Sequence, residues 1–204
     1  ACLVDGGDAI AAWRERAAET RRLAEWVEGR SEVRITAPGT DLRLAVEGRR
    51  WIPCVGERNM PDGEFFTAPI EDSVDGEVTF TFPAVYGGRE VAGVRLRFDG
   101  GRVVDADAER GADFLLQMLD TDEGARRLGE LGIGTNYGIA TATKEILLDE
   151  KIGGTVHLAL GASYPETGGR NESAIHWDMV LDLRNGGEIT VDGETLQRDG
   201  RFAI

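Results

Sequence analysis

The chain has 204 residues, of which 37 are acidic and 23 basic, and its net charge is −14 at pH 7. This excess of acid argues against nucleic acid and anionic membranes as partners, because both bind basic surfaces. No run of about 18 apolar residues and no secretory leader pattern are found, so we expect a single-domain protein that is cytoplasmic and does not span a membrane.

The first predicted element is an amphipathic helix from Asp8 to about Gly29. Asp8 is a suitable residue to cap its start, and Gly29 is suited to end it. The apolar residues of this segment recur near a 3.6-residue period: Ile10, Trp13, Ala17, Leu23, Trp26 and Val27. This period predicts that one face of the helix packs against the core.

From residue 33 to residue 98 the period changes to two, which predicts half-buried strands at 42–46, 77–82 and 94–98. Asp-Gly pairs at 75–76 and 99–100 favour tight turns and therefore antiparallel pairing. Two cysteines, Cys2 and Cys54, are too few for a disulfide framework. Cys54 lies in an apolar run, so we expect a reduced, partly buried thiol.

The middle of the chain returns to helical periodicity. A helix is predicted within 109–130, with an apolar stripe of Phe114, Leu115, Met118 and Leu119, and a second short helix is predicted to start at Thr121 or Asp122 and end near Glu130. A third helical segment covers about 141–150. Strands follow at 154–161, 174–183 and 187–191, with a last hairpin over 192–193 and 199–200. The order of elements predicts an α+β fold with an antiparallel or mixed β-rich domain, and a barrel-like closure of the sheet is left open.

The chain contains two histidines, His157 and His176, and both lie in short apolar segments that are typical of strands. Successive side chains of a strand point to opposite faces, so His176 and Asp178 are expected to share a face. A His-x-Asp pair suits a divalent cation, but a half-buried structural imidazole explains the same pattern equally well.

Glu64 and Glu130 stand out by their positions beside a turn and a Gly-rich connection. An isolated glutamate at either place is more often solvated. The Gly-rich segment 131–136 departs from the dinucleotide fingerprint because Tyr137 stands where the third glycine belongs, which disfavours NAD or phosphate binding. No nucleophilic triad is indicated, since Ser163 and Ser173 lack an evident base and oxyanion hole.

Four long runs, 56–64, 130–136, 149–161 and 164–178, resemble the M29 family of metalloaminopeptidases, the thermophilic aminopeptidase group. The runs occur in the family's order, and the flanking sequence is similar out to both ends. The resemblance implies a cytoplasmic, homodimeric exopeptidase that uses two divalent cations (Zn, Co or Mn) to release N-terminal residues from peptides with a free N-terminus. It also implies that residues 1–204 are one metallopeptidase domain, the C-terminal part of a longer enzyme whose N-terminal α/β domain is absent here.

The resemblance assigns the site position by position. It implies that the metal ligands are Glu64, Glu130, His157, His176 and Asp178, and that Glu130 and Tyr164 are catalytic. Two alternatives stay open: a non-catalytic metal-binding or dimerisation module of such an enzyme, or a carbohydrate- or peptide-binding β-rich domain in which the histidines are structural.

Overall fold

A computed structural model describes residues 7–204, so Cys2 lies outside the described residues. Three α-helices are present, α1 (Ala9–Val27), α2 (Ala112–Leu119) and α3 (Ile146–Asp149), with single 3₁₀ turns at Gly124–Arg126 and Pro165–Thr167. The strands are β1 (Glu32–Ala37), β2 (Thr40–Ala45), β3 (Ile52–Cys54), β4 (Glu64–Thr67), β5 (Asp75–Thr79), β6 (Ala84–Tyr86), β7 (Arg89–Val91), β8 (Arg95–Asp99), β9 (Arg102–Asp107), β10 (Leu128–Gly134), β11 (Thr155–Gly161), β12 (His176–Asp182), β13 (Glu188–Val191), β14 (Glu194–Arg198) and β15 (Arg201–Phe202).

Helix α1 forms as the sequence predicts. The Asp8 carboxylate accepts hydrogen bonds from the backbone N–H groups of Ile10 and Ala11 at 3.0 and 3.1 Å, which satisfies two donors that have no partner inside the helix. Gly29 follows the helix with φ +77°, a conformation that glycine adopts without strain. Leu23 and Val27 are fully buried, whereas Ile10 is 65% exposed, so the predicted apolar face is wrong at its first position.

The larger sheet has eight strands in the order β15-β14-β13-β1-β2-β5-β8-β9, and every pairing is antiparallel. Asp99 ends β8 and pairs with Arg102, so Gly100 and Gly101 form the β8–β9 turn, and the hairpins at 192–193 and 199–200 are confirmed. The Asp-Gly pair at 75–76 instead opens β5. A Cβ on Gly76 would lie 2.1 Å from the backbone oxygen of Asp41, so this glycine allows close strand pairing rather than a turn.

Of the two large sheets, the smaller has five antiparallel strands in the order β12-β11-β10-β4-β3, and β6 pairs with β7 in a separate hairpin. Its strands β10 and β11 are buried along their whole length. The predicted helix ending near Glu130 and the Gly-rich connection after it are therefore wrong, because Glu130 lies inside β10. Hydrogen bonding to β4 and β11 on both sides outweighs the local glycine content of this segment.

One apolar core joins both sheets with α1 and α2. The predicted stripe of α2 is buried, but the second short helix is reduced to one 3₁₀ turn and the third spans only Ile146–Asp149. The α+β prediction is confirmed, while the barrel-like alternative is wrong because both sheets are open at their edges over residues 7–204. Within that range, no helix combines the length and apolar character needed to cross a membrane.

Candidate metal centre

All five predicted ligands lie on four neighbouring strands of the five-stranded sheet. Glu64 opens β4, Glu130 lies in β10, His157 in β11, and His176 and Asp178 in β12. Neighbouring strands are about 4.8 Å apart, so side chains on one face of adjacent strands come within reach of a shared ligand.

His157 lies at the middle of this cluster and is fully buried. Its Nε2 atom is 2.9 Å from Glu130 Oε1 and 3.4 Å from Glu64 Oε2. The ring fits because the residue paired with it on β10 is Gly132, where a Cβ would lie 2.0 Å from His157 Nε2. Because residue 132 is a glycine, the space that a side chain would fill is free for the imidazole of His157.

His176 and Asp178 point to the same face, as the His-x-Asp spacing predicts. His176 Nε2 is 3.5 Å from Asp178 Oδ2 and 3.6 Å from Glu130 Oε2. On the other side of the ring, His176 Nδ1 is 2.8 Å from the carbonyl oxygen of Ala162. Donation to that carbonyl places a proton on Nδ1, so Nε2 is the ring nitrogen that faces the carboxylates.

Several polar atoms in the cluster fit a cation. Ligand atoms of Glu130, His157 and Asp178 lie within 4.8 Å of one another, and so do those of Glu64, Glu150 and His157. Glu64 Oε2 and Asp178 Oδ1 are buried and have no hydrogen-bond partner within the protein. A buried acceptor left in this state costs about 1–3 kcal/mol, and coordination of a metal ion would remove that cost. The donor set of imidazole nitrogens and carboxylate oxygens is that of Zn, Co or Mn sites.

The close approach of several carboxylates changes the pKa values of the groups in this cluster. Burial, followed by the charge of Glu130, raises the pKa of Asp178 to about 7. Burial alone would lower the pKa of His157, but the hydrogen bond with Glu130 and the nearby carboxylate charges raise it to about 10. Metal binding requires the deprotonated forms, so a cation that enters this cluster displaces protons.

Tyr164 stands at the opening of the same region. Its ring centroid is 5.0 Å from that of His176 and 5.5 Å from that of Phe66. Burial and the charge of Glu130 raise the pKa of Tyr164 to about 12, so its hydroxyl keeps its proton at neutral pH. Tyr164 and four of the predicted ligands line one cavity of about 190 Å³, together with Cys54, Arg58, Asn59, Phe66, Ile146, Leu147, Glu150 and Glu166.

Sequence reasoning missed three charged residues of this region: Asp62, Glu150 and Lys151. Lys151 is fully buried, and its Nζ atom donates to Glu150 Oε1 at 2.6 Å and to Glu64 Oε1 at 2.8 Å. Burial would lower the pKa of Lys151, but the charges of Glu64 and Glu150 and the bonds to them raise it. The sequence contains one feature that could have pointed to Lys151: it is one of two lysines in the chain, and it lies in a segment with apolar and glycine residues.

Cys54 is a free, half-buried thiol, as predicted, on the edge strand β3. Burial and the charges of Glu64 and Asp62 raise its pKa, which keeps it a thiol rather than a thiolate. Its Sγ atom lies within 4.8 Å of carboxylate oxygens of Asp62 and Glu64.

Buried imidazole and carboxylate groups that converge on one region define a candidate metal-binding centre with nitrogen and oxygen donors. The family model of the thermophilic metalloproteases (M29) matches residues 1–202, and the chain belongs to this family. It is 34% identical to Aminopeptidase 2 of Geobacillus stearothermophilus and 34% identical to Aminopeptidase T of Thermus aquaticus. These matches cover 98% and 100% of this chain but 56% and 57% of the relatives, so the chain spans little more than half of their length.

Solved structures show the same relationship. Wild-type AmpT from Thermus thermophilus superimposes with a TM-score of 0.87 at 32% identity, over 96% of this chain and 56% of that chain. The 2,5-dihydroxypyridine dioxygenase of Pseudomonas putida KT2440 superimposes with a TM-score of 0.70 at 16% identity, over 94% of this chain and 59% of that chain. The latter likeness concerns the fold alone.

Proposed function

We propose that residues 1–204 form the metallopeptidase domain of an aminopeptidase, with a two-metal site held by Glu64, Glu130, His157, His176 and Asp178. The observation that carries the proposal is the position of Glu130. Its Oε1 atom faces His157, and its Oε2 atom faces His176. A carboxylate with one oxygen on each side is suited to bridge two cations, which lie about 3.5–4 Å apart in two-metal hydrolases.

The charge of the cluster supports two divalent ions rather than one. The carboxylates of Asp62, Glu64, Glu130, Glu150 and Asp178 lie together, and the Lys151 ammonium contacts the first two and Glu150. In the deprotonated state that metal binding requires, five carboxylates against one ammonium leave four negative charges, and two divalent cations carry the matching charge. Uncompensated carboxylates at this depth are costly, because burial disfavours the charged form.

Bound cations would supply a water with a pKa near 7 and would polarise the scissile carbonyl. The roles of the protein groups follow from their positions. One carboxylate of the cluster, Glu130 or Glu64, accepts the proton of the attacking water and passes it to the leaving amine. The protonated Tyr164 hydroxyl donates to the oxyanion of the tetrahedral intermediate. The carboxylates also attract the positive α-amine of a peptide N-terminus.

The wall of the cavity indicates where the first side chain of a peptide lies. Ile146 and Leu147, on α3, are 36% and 58% exposed, and both line the cavity that contains the candidate ligands. Phe66 and Tyr164 extend the apolar surface. An apolar wall beside acidic groups fits a peptide N-terminus whose side chain is apolar, because the amine and the side chain then meet matching surfaces.

The test is metal content by elemental mass spectrometry together with hydrolysis of leucyl-anilide. Glu130→Gln removes the bridging charge with little change in volume, and Glu77→Gln is the matched control, an exposed glutamate of β5 in the larger sheet. We expect about two equivalents of transition metal and hydrolysis from the wild type and the control, and a loss of both in Glu130→Gln.

A metal-binding module without turnover is the second candidate. The ligand cluster itself favours it, because a buried donor set can hold a cation without turning over a substrate. Bound metal with no hydrolysis in the same experiment would support this candidate. No bound metal after addition of Zn, Co or Mn would leave the histidines as structural residues and contradict both. Dimerisation and a cytoplasmic location remain predictions.

A further inference from the structure

Lys151 is held rigidly at the end of the α3 segment. The Asp149 carboxylate accepts hydrogen bonds from the backbone N–H and the hydroxyl of Thr143 and from the backbone N–H of Lys144, at 2.7 to 2.8 Å. The carbonyl oxygen of Lys151 accepts from the backbone N–H of Asn136 at 2.9 Å. The backbone N–H of Lys151 also donates to the carbonyl oxygen of Leu148 at 3.2 Å, so its backbone is tied to α3 and to the segment that follows β10.

The Lys151 ammonium group contacts three carboxylates. Besides Glu64 and Glu150 it faces Asp62, whose Oδ1 atom is 3.7 Å away. Asp62 is itself held in place, because its two carboxylate oxygens accept from the backbone N–H groups of Gly56 and Gly63. The ammonium therefore lies in a fixed socket of anionic oxygens.

This socket determines which oxygen of Glu64 is available to a cation. Oε1 of Glu64 accepts from Lys151 at 2.8 Å, whereas Oε2 has no hydrogen-bond partner and lies 3.4 Å from His157 Nε2. In the described part of the chain, one oxygen of Glu64 is thus hydrogen-bonded to Lys151, and the other points toward the candidate metal centre.

We propose that Lys151 is a positioning residue, a built-in cation that fixes Glu64 and Glu150 so that Glu64 presents one oxygen to the metal. The inference rests on the proposed metal site. The Lys151 ammonium lies among Asp62, Glu64 and Glu150, so it balances part of their negative charge in the absence of any metal ion.

Stability alone is a poor explanation for this lysine. Removing an ammonium and carboxylates from water costs several kcal/mol per ion, and a well-packed apolar group often serves a core as well or better. A buried charge network near candidate ligands has a clear benefit for metal binding, since groups that orient a ligand typically change metal affinity 10- to 100-fold when removed.

The chain offers a matched experiment, since its other lysine, Lys144, is exposed and paired with Glu90. We would titrate Co²⁺ and Zn²⁺ into metal-free wild type, Lys151→Met, Lys151→Gln and Lys144→Met, and would follow the absorption spectrum of bound Co²⁺ and the melting temperature. We expect metal affinity to fall 10- to 100-fold in Lys151→Met and to an intermediate value in Lys151→Gln, whose amide keeps one donor. An altered Co²⁺ spectrum in both variants and wild-type behaviour of Lys144→Met complete the expected result.

Two outcomes would overturn the inference. One is a folded Lys151→Met protein that binds Co²⁺ with wild-type affinity and spectrum. The other is a failure of both Lys151 variants to fold even at saturating metal, which would assign Lys151 a structural role. Failure of the proposed function is separate, because it would show as wild-type protein that binds no metal or does not hydrolyse leucyl-anilide.

Discussion

Replacement of Gly132 by alanine tests whether the space for the His157 ring is a requirement of the site. The new Cβ would lie 2.0 Å from His157 Nε2, and ordinary van der Waals contact begins at 3.4 Å, so the imidazole must move by about 1.4 Å. The backbone of Gly132 does not have positive φ, so alanine causes no conformational strain of its own at this position. The displacement of the ring is the dominant effect.

That displacement is large for a ligand. Metal–ligand distances vary by about 0.2 Å in real sites, and a misplacement of about 1 Å at a reacting centre costs roughly 10²-fold in rate. The 2.9 Å contact between His157 and Glu130 would also be lost. We therefore expect Gly132→Ala to bind metal at least tenfold more weakly and to hydrolyse leucyl-anilide about 100-fold more slowly.

The assay is a metal titration followed by calorimetry, with hydrolysis measured at saturating metal. Gly187→Ala is the control, because its Cβ would lie 2.6 Å from Leu183 Cδ2 and 2.7 Å from Leu183 Cα, a clash outside the cluster. The control should melt at a lower temperature and keep wild-type metal affinity. If Gly132→Ala binds metal as the wild type does and retains at least half of its activity, the argument about the ring is refuted.

Two further predictions concern Tyr164 and the ion pair of Asp182 with Arg184. Tyr164→Phe should lower kcat by about 10²–10³ while metal content is unchanged, and a fall of less than threefold would remove Tyr164 from the oxyanion role. Burial opposes ionisation of Asp182, but hydrogen bonds from Arg184 lower its pKa in the folded protein. The ion pair therefore stabilises the fold above the unfolded pKa of about 3.9, and this stabilisation is lost as the pH falls through the lower pKa of the folded state. Asp182→Asn should therefore have a lower melting temperature than the wild type at pH 7, and the two melting temperatures should converge in acid. A difference in melting temperature that persists at pH 2 would contradict the predicted lowering of the Asp182 pKa.

The sequence predicts elements well where one pattern acts alone. Asp8 and Gly29 delimit α1, and the Asp-Gly pair at 99–100 leads into the β8–β9 hairpin, because local geometry decides both. The pair at 75–76 consists of the same two amino acids, but its glycine permits close pairing of β5 with β2. The difference depends on a strand more than thirty residues away in the chain, which local chemistry does not specify.

The candidate site was predicted from resemblance, and the structure brings its residues together. Spacing alone left the histidines undecided, since Glu64, Glu130 and His157 meet only through the strand order of the smaller sheet. The placement of Glu130 at a helix end was wrong because seven residues rich in glycine and leucine formed a central strand instead. Lys151 was missed because a lysine surrounded by carboxylates is recognisable only after the carboxylates have been placed.

Anomalous X-ray diffraction from crystals grown with Zn²⁺ tests the two-metal site most directly. The account predicts two anomalous peaks about 3.5–4 Å apart on either side of the Glu130 carboxylate, one beside His157 and one beside His176. A single peak would contradict the bridging role of Glu130, and no peak in this cavity would contradict the metal site itself.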